Sequence, residues 1–277
     1  MTGGSELETT VVKSAKAKPS LIIYSLDQEH ATYSMSMFVT KLQLRLRHGG
    51  VPYENFLGSR DSAPKKKIPY VKLENGELMG DTALIVNRLI KEGKLENLDN
   101  GLSPEQRAID YCLRTMIEDR VYYLVNYERW YGNYYAMRDK LFGHLPFGAK
   151  HIMGILTLQF SKMMLYFQGT GRHNPAEVQH FTEEAVVALA GFAEAAQKKV
   201  GTSAPFWILG QEKPTEADFT LFGALAGYLV NDEVQPVMTT MIRSHPSLVD
   251  YIERIHGAYF ADYSHLPCNI ASWPSHT

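Results

Sequence analysis

Asp81 and Thr82 set a carboxylate beside a hydroxyl at the mouth of an expected helix. Aspartate is a preferred N-cap, and the apolar residues that follow, Leu84, Ile85, Leu89 and Ile90, recur at helical spacing. A helix N-terminus leaves backbone N–H groups unpaired and carries partial positive charge, so it is a ready site for an anion such as a carboxylate. The same residues also serve as a plain cap, and residue types alone leave both readings open. What must position the pair is the stretch before it. Ile68 to Leu73 is a β-branched and aromatic run, Glu74-Asn75-Gly76 a tight turn, and Glu77 to Met79 a second short strand. Asn-Gly between such segments is a strong hairpin signal, because both residues tolerate positive φ. Pro69 stands at the mouth of the first strand, where a residue without an N–H is tolerated.

Other chemistries find little support. The chain has 277 residues with a formal net charge of −2, which gives no electrostatic case for nucleic acid or an anionic membrane surface. Its two cysteines, Cys112 and Cys268, have no paired spacing, so neither a disulfide framework nor a zinc signature is present, and a reducing compartment is favoured. Ten histidines are scattered without ligand spacing, and no metal is expected. No Gly-x-Ser-x-Gly elbow, His-Glu-x-x-His or phosphate loop occurs. The longest apolar runs are too short to span a bilayer. The first nineteen residues lack an apolar signal core and are expected to be a disordered tail, so a cytoplasmic location is expected.

The order of elements is legible. Ser20–Tyr24 reads as a buried strand. A helix from about Ser36 to His48 shows Phe38, Val39, Leu42 and Leu46 as its apolar stripe, with Lys41, Arg45 and Arg47 on the wet side. Gly49-Gly50 ends it, and Val51–Phe56 is the next extended run. Strand, helix, strand, then hairpin and helix is a β-α-β, β-β-α order, complete by residue 95, with a polar connector at 96–102. Ser103-Pro104-Glu105-Gln106 opens a long helix through a capping box with proline at its first position. Its second half carries Tyr122, Tyr123, Tyr127, Trp130, Tyr131, Tyr134 and Tyr135. Aromatics three and four apart share one helical face, either as core and interface packing or as a wall facing a cleft. Further helices are expected over 149–167 and 175–199 (Val178, Phe181, Ala185, Leu189 and Phe192 inward). Others open at Thr215, boxed with Asp218, and at Ser244. The helical part runs over 103–265, and 266–277 is expected to be irregular.

Several phrases together carry a resemblance. Ile68-Pro69, the hairpin and the pair Asp81-Thr82 resemble the second half of the thioredoxin-like domain of glutathione transferases. Lys41–Asn55, Ala63–Pro69, Met116–Tyr123, Asn126–Trp130 and Tyr166–His173 are similar to phrases of the Fax and metaxin-like branch of that superfamily. The resemblance covers about residues 20–261. It implies an α+β thioredoxin-like domain (β-α-β, β-β-α) followed by an all-α helical bundle domain, the glutathione transferase architecture. It also implies a cis Ile68–Pro69 bond, and glutathione as co-substrate or cofactor. The Ile68 main chain would pair with its cysteinyl part and Asp81 with Thr82 would hold its γ-glutamyl end. Lys67 or Lys66 would reach its glycyl carboxylate, unless the three lysines are only a solvated loop. Arg172 and His173 read as glue between helices or as an anion contact.

The thiol of glutathione has an ordinary pKa of roughly 8.5 and must be held as thiolate at neutral pH. A hydroxyl aimed at the sulfur and the positive end of the first helix would do so. By resemblance that hydroxyl is Ser36, with Ser34, Tyr33 and Tyr24 as alternatives. The branch's Ser-Pro-Phe-Cys falls on Ser36-Met37-Phe38-Val39, so no thiol is present and Cys-x-x-Cys redox chemistry is excluded. Tyr123, Tyr127, Trp130 and Tyr131 are the expected wall for a small hydrophobic electrophile. The family further implies a homodimer serving detoxification or secondary metabolism. A transferase scaffold also hosts non-catalytic binding proteins, which remains the alternative.

Overall fold

The computed structural model describes residues 21–26, 32–200 and 204–263; the expected tails 1–19 and 266–277 lie outside them. Four strands form one sheet in the order β2-β1-β3-β4. β1 (Leu21–Ser25) pairs in parallel with β2 (Tyr53–Leu57) and antiparallel with β3 (Tyr70–Leu73), and β3 pairs antiparallel with β4 (Leu78–Gly80). The hairpin turn holds Gly76 at φ 86°, the conformation that its lack of a Cβ permits. Helix α1 (Met37–His48) crosses from β1 to β2, and α2 (Thr82–Lys91) follows β4. Leu21, Ile23 and Val71 from the sheet meet Leu42 and Leu46 of α1 and Ile85 and Leu89 of α2 in one apolar core. This is the expected thioredoxin-like arrangement.

The helical part begins with Ser103, whose side chain and Gln106 form the expected capping box at the start of α3 (Pro104–Met116). A π turn (Ile117–Val121), α4 (Tyr122–Tyr127) and a second π turn (Glu128–Gly132) continue it without a break. Then follow α5 (Tyr134–Phe142), α6 (Phe147–Gln168), α7 (Pro175–Gln197), α8 (Glu216–Leu229), α9 (Pro236–Arg243) and α10 (Pro246–Tyr259). On α7 the inward stripe passes through Ala193, so Phe192 is exposed rather than buried as expected. Helix α8 is buried from Ala217 to its end at Leu229. At its start Asp218 accepts from the Thr215 N–H and hydroxyl, the Ile208 N–H and the Tyr251 hydroxyl.

The largest departure from the sequence reading is on α1. Lys41 and Arg45, expected in water, are both buried. Lys41 pairs with Glu118 at 2.5 Å, and Arg45 with Glu216 at 2.7 Å while also donating to the Glu96 carbonyl. Helix α1 is covered by the sheet core on one side and by α8 on the other. Its charged stripe faces carboxylates of the helical part instead of solvent. A buried charge is tolerable only when paired and hydrogen-bonded, and these pairs join the two parts of the chain. Arg47 is half-buried, held by Asp262, the Tyr53 hydroxyl and the Tyr259 carbonyl.

Candidate functional site

Strand register brings the candidate binding residues to one end of the sheet. Tyr24 pairs with Tyr70, and Tyr70 with Gly80, so Ile68-Pro69 and Asp81-Thr82 flank the end where β1 finishes. Because β1 and β2 are parallel, α1 runs back against them, and its N-terminus, with Ser36, stands at that same end. The Ile68–Pro69 peptide is cis. Pro69 is buried, and Ile68 is half-buried at the mouth of β3.

Asp81 caps α2: its Oδ1 accepts from the N–H of Ala83 and of Leu84 at 3.1 and 3.2 Å. Its backbone lies at φ 80°, a region that costs a non-glycine residue energy and that clusters at binding sites. The carboxylate is exposed at that position, and the Thr82 side chain beside it is buried. The lysine loop lies over β4, the Lys65 side chain standing against Gly80. Lys66 donates to the Asp61 carbonyl, and Lys67 is exposed.

Ser36 is the N-cap residue of α1, yet its side chain makes no capping hydrogen bond, and the first turn of α1 holds no acidic residue. The positive end of that helix is therefore not neutralised by its own residues. Ser34 is buried and its Oγ accepts from the Ser36 N–H at 3.0 Å, which fixes the approach to the helix. The other two candidate hydroxyls are placed differently. Tyr33 is buried among Phe222, Phe260 and Tyr263, its hydroxyl 2.8 Å from His256 Nδ1. It faces the helical core, not the sheet end. Tyr24 stacks on Tyr70 at 4.7 Å between ring centres.

Glycines of α8 press against this helix start. A Cβ at Gly223 would stand 2.6 Å from the Met37 carbonyl oxygen, and one at Gly227 would stand 3.2 Å from that of Ser34. Only glycine lets α8 approach so closely. The Tyr228 hydroxyl reaches Met37 Sδ, and the Tyr228 ring lies under the Arg129 guanidinium, which donates to Gln235 Oε1. Nothing in the local sequence around Arg129 marks that burial.

The expected aromatic wall divides. Tyr123 and Tyr127 pack with Leu165 of α6 and Val178 of α7. Tyr131 stacks on Tyr127 at 4.3 Å with Lys162 over its ring. These three face α6 and α7. Trp130 is buried with Met137 and Val234, and Met35, just before Ser36, packs on that cluster. The aromatic that meets the start of α1 is Tyr122, edge-on to Phe38 at 5.4 Å. Tyr122 was not among the residues expected to form that wall. Each π turn inserts an extra residue per turn and rotates the faces that a uniform helical spacing assigns. Arg172 donates to the Tyr166 carbonyl and His173 pairs with Glu177, both local contacts of the turn between α6 and α7 with the helix beside it.

Among the described residues no group of His, Cys, Asp and Glu could hold a metal ion. None of the described helices is long and apolar enough to cross a membrane. The helix end at Ser36, the exposed Asp81 carboxylate with Thr82 beside it, and the main chain at Ile68 lie together at one end of the sheet.

Comparison with known proteins bears on the same residues. Residues 37–137 match the family model of the glutathione S-transferase N-terminal domain. The chain is 25% identical over 269 residues to the Failed axon connections protein of Drosophila melanogaster, covering 90% of this chain but only 60% of that protein. It is 26% identical over 238 residues to the isoprene-epoxide–glutathione S-transferase of a Rhodococcus species, covering 81% of this chain and 93% of that enzyme. Among solved structures, a glutathione S-transferase of Methylobacterium radiotolerans, in complex with glutathione sulfonate, superposes with a TM-score of 0.52. It is 16% identical and covers 88% of this chain and 93% of its own.

Proposed function

The chain is a Fax-like member of the glutathione S-transferase superfamily, and from that premise we propose that it is a glutathione-dependent transferase. The observation that carries the reading is Asp81: an exposed carboxylate held at φ 80° beside the buried Thr82. That pair shares its end of the sheet with Ile68-Pro69 and the uncapped helix start at Ser36. In this reading the Asp81 carboxylate takes the γ-glutamyl ammonium. The Thr82 hydroxyl and the N-terminus of α2 take its carboxylate. The Ile68 main chain pairs with the cysteinyl unit, and Lys67 offers a cation to the glycyl end.

Glutathione supplies a thiol nucleophile. Ser36 Oγ–H donates to its sulfur, and the N-terminus of α1 favours negative charge there, so the thiol proton is lost to water near neutral pH. In an epoxide, the class named for the Rhodococcus enzyme, a new C–S bond replaces one C–O bond and the released alkoxide takes a proton from water. Tyr122, edge-on to Phe38, bounds the side of the helical part nearest Ser36, with Trp130 buried in the cluster that Met35 covers; Tyr123, Tyr127 and Tyr131 face α6 and α7, so a substrate wall there would lie away from Ser36. The same thiolate could instead support isomerisation, elimination or peroxide reduction. We further place the protein in the cytoplasm as a homodimer acting in detoxification or secondary metabolism.

The second reading is a non-catalytic interaction protein. It is favoured by the similarity to Failed axon connections over most of this chain and by Val39, which stands where the branch carries cysteine. Calorimetric titration of glutathione separates the two. The transferase reading expects saturable binding that an Asp81→Ala, Thr82→Ala double variant loses. No heat at millimolar glutathione with the folded protein would sink it, and partner capture would become the next experiment.

A further inference from the structure

Arg129 is a buried cation without an anion. It is 5% exposed, and its Nε donates to a neutral acceptor, the Gln235 amide oxygen. Its Nη2 is buried with no hydrogen-bond partner among the described residues. The other buried lysine and arginines described here, Lys41, Arg45 and Arg138, pair with Glu118, Glu216 and Asp139. Glu128 and Glu233 lie within reach of the Arg129 charge, but both are committed elsewhere. Glu128 accepts from the N–H groups of Val237 and Met238, and Glu233 pairs with Lys140. Burial presses the guanidinium below its usual range, with the Tyr228 and Tyr122 hydroxyls and those two carboxylates opposing. A guanidinium nevertheless stays charged in a protein, and a buried charge left unpaired is costly.

The place of this cation says what it is for. Arg129 belongs to the second π turn, and such turns within helices are frequent at functional sites. Its guanidinium lies over the Tyr228 ring, whose hydroxyl touches Met37, the residue after Ser36. Trp130 and Val234, the sequence neighbours of Arg129 and Gln235, pack with Met35, the residue before Ser36. The cation therefore stands behind the start of α1, one aromatic ring away from it. We infer that Arg129 is a specificity-determining residue that takes the carboxylate of the second substrate, so that the favoured electrophile is an apolar acid and not a neutral hydrophobe. The planar fork of an arginine suits a carboxylate, and Tyr122, set against Phe38, adds a phenol donor on the same side. Met35 is half-buried, and its unbranched side chain gives way to the ligand. The inference rests on the transferase reading for the role of the acid, and its test separates the two.

Calorimetric titration of the full chain with 3-phenylpropanoate and with its neutral counterpart 3-phenylpropanamide tests it. The acid is expected to bind at least about 10-fold more tightly than the amide, the effect of one charge-assisted pair, with or without S-methylglutathione present. Arg129→Gln keeps a donor for Gln235 and is expected to bring the acid down to the level of the amide. Arg129→Lys keeps the charge and is expected to retain part of the preference, with circular dichroism checking the fold of both variants. Equal binding of acid and amide by the wild type overturns the proposal, whatever the variants do. So does a preference that survives Arg129→Gln, and so does displacement of the acid by S-methylglutathione, which would give the cation to a carboxylate of glutathione itself. An acid preference in a chain that binds no glutathione would uphold the Arg129 site and overturn the transferase reading. Glutathione binding without the preference would do the reverse.

Discussion

Ser36 and Asp81 stand at the starts of two helices and relate to them in opposite ways. Asp81 satisfies N–H groups of its helix, whereas Ser36 leaves those of α1 alone. A side chain that does not cap the helix it begins is available to a ligand. Replacing Ser36 by alanine is therefore expected to leave glutathione affinity nearly intact and to lower kcat about 100-fold, the usual effect of removing one oriented donor from a developing or stored negative charge. The pH–rate profile carries the diagnostic: its lower limb, which follows thiol ionisation, should move to higher pH in Ser36→Ala. An unchanged limb would reassign the hydroxyl. Asp81→Asn separates cap from charge, because asparagine caps a helix about as well as aspartate. Thermal stability should hold, while glutathione binding weakens about tenfold through the lost charge-assisted contact to the ammonium.

At the scale of elements, local chemistry was legible in the sequence and face assignment was not. The Asn75-Gly76 turn, the Ser103–Gln106 and Thr215–Asp218 boxes and the end of α1 at Gly49 are decided within a few residues, so residue types suffice to place them. Lys41 and Arg45 were misassigned because a charged stripe on an amphipathic helix looks the same whether it meets water or a row of carboxylates 70 or more residues away. Glu118 and Glu216 supply those carboxylates. The expected tyrosine wall divides between two faces because two π turns shift the register that a 3.6-residue period presumes. The same shift brings Tyr122, which was not in the expected wall, against Phe38 at the start of α1. The α1–α8 contact is where this hidden geometry can be tested. A Cβ at Gly223 meets backbone, not a movable side-chain end, so Gly223→Ala must push the start of α1 away. We expect a loss of about 2–4 kcal/mol in urea unfolding together with weaker glutathione binding, since Met37 follows Ser36 directly. An unchanged midpoint would mean that the two helices separate without cost.

At the scale of the whole molecule, the last helix is joined to the end of α1 through His48 and to the segment before α1 through His256, and protonation of either histidine opposes folding. His48 Nδ1 lies 3.0 Å from the Tyr259 hydroxyl, and His256 Nδ1 lies 2.8 Å from that of Tyr33. In the tautomer with Nδ1 unprotonated, the neutral ring accepts a hydrogen bond from the phenol hydroxyl in each pair, which a protonated ring cannot do. Burial holds both histidines below the usual imidazole range. The positive charges of Arg45 and Lys213 lower His48 further while Glu96 opposes them, and Asp262 opposes the shift at His256. The native state then binds fewer protons than the unfolded chain just below pH ~6.5, so stability is full above that pH and is lost as pH falls through the folded values. Asp218 works the other way. Burial raises its carboxyl to about 6 against its hydrogen bonds, so the native state takes up a proton there before the unfolded chain does. Its contribution grows as pH falls from about 6 toward the ordinary carboxylate range. The melting temperature should therefore decline as pH falls below about 6.5, with the slope easing below about 6 as Asp218 protonates. A His48→Gln, His256→Gln variant should flatten the upper part of the curve and leave the lower part in place. A wild-type melting temperature that rises as pH falls from about 6.5 to about 6 would show that these two contacts do not govern the joint between α10 and the chain around α1.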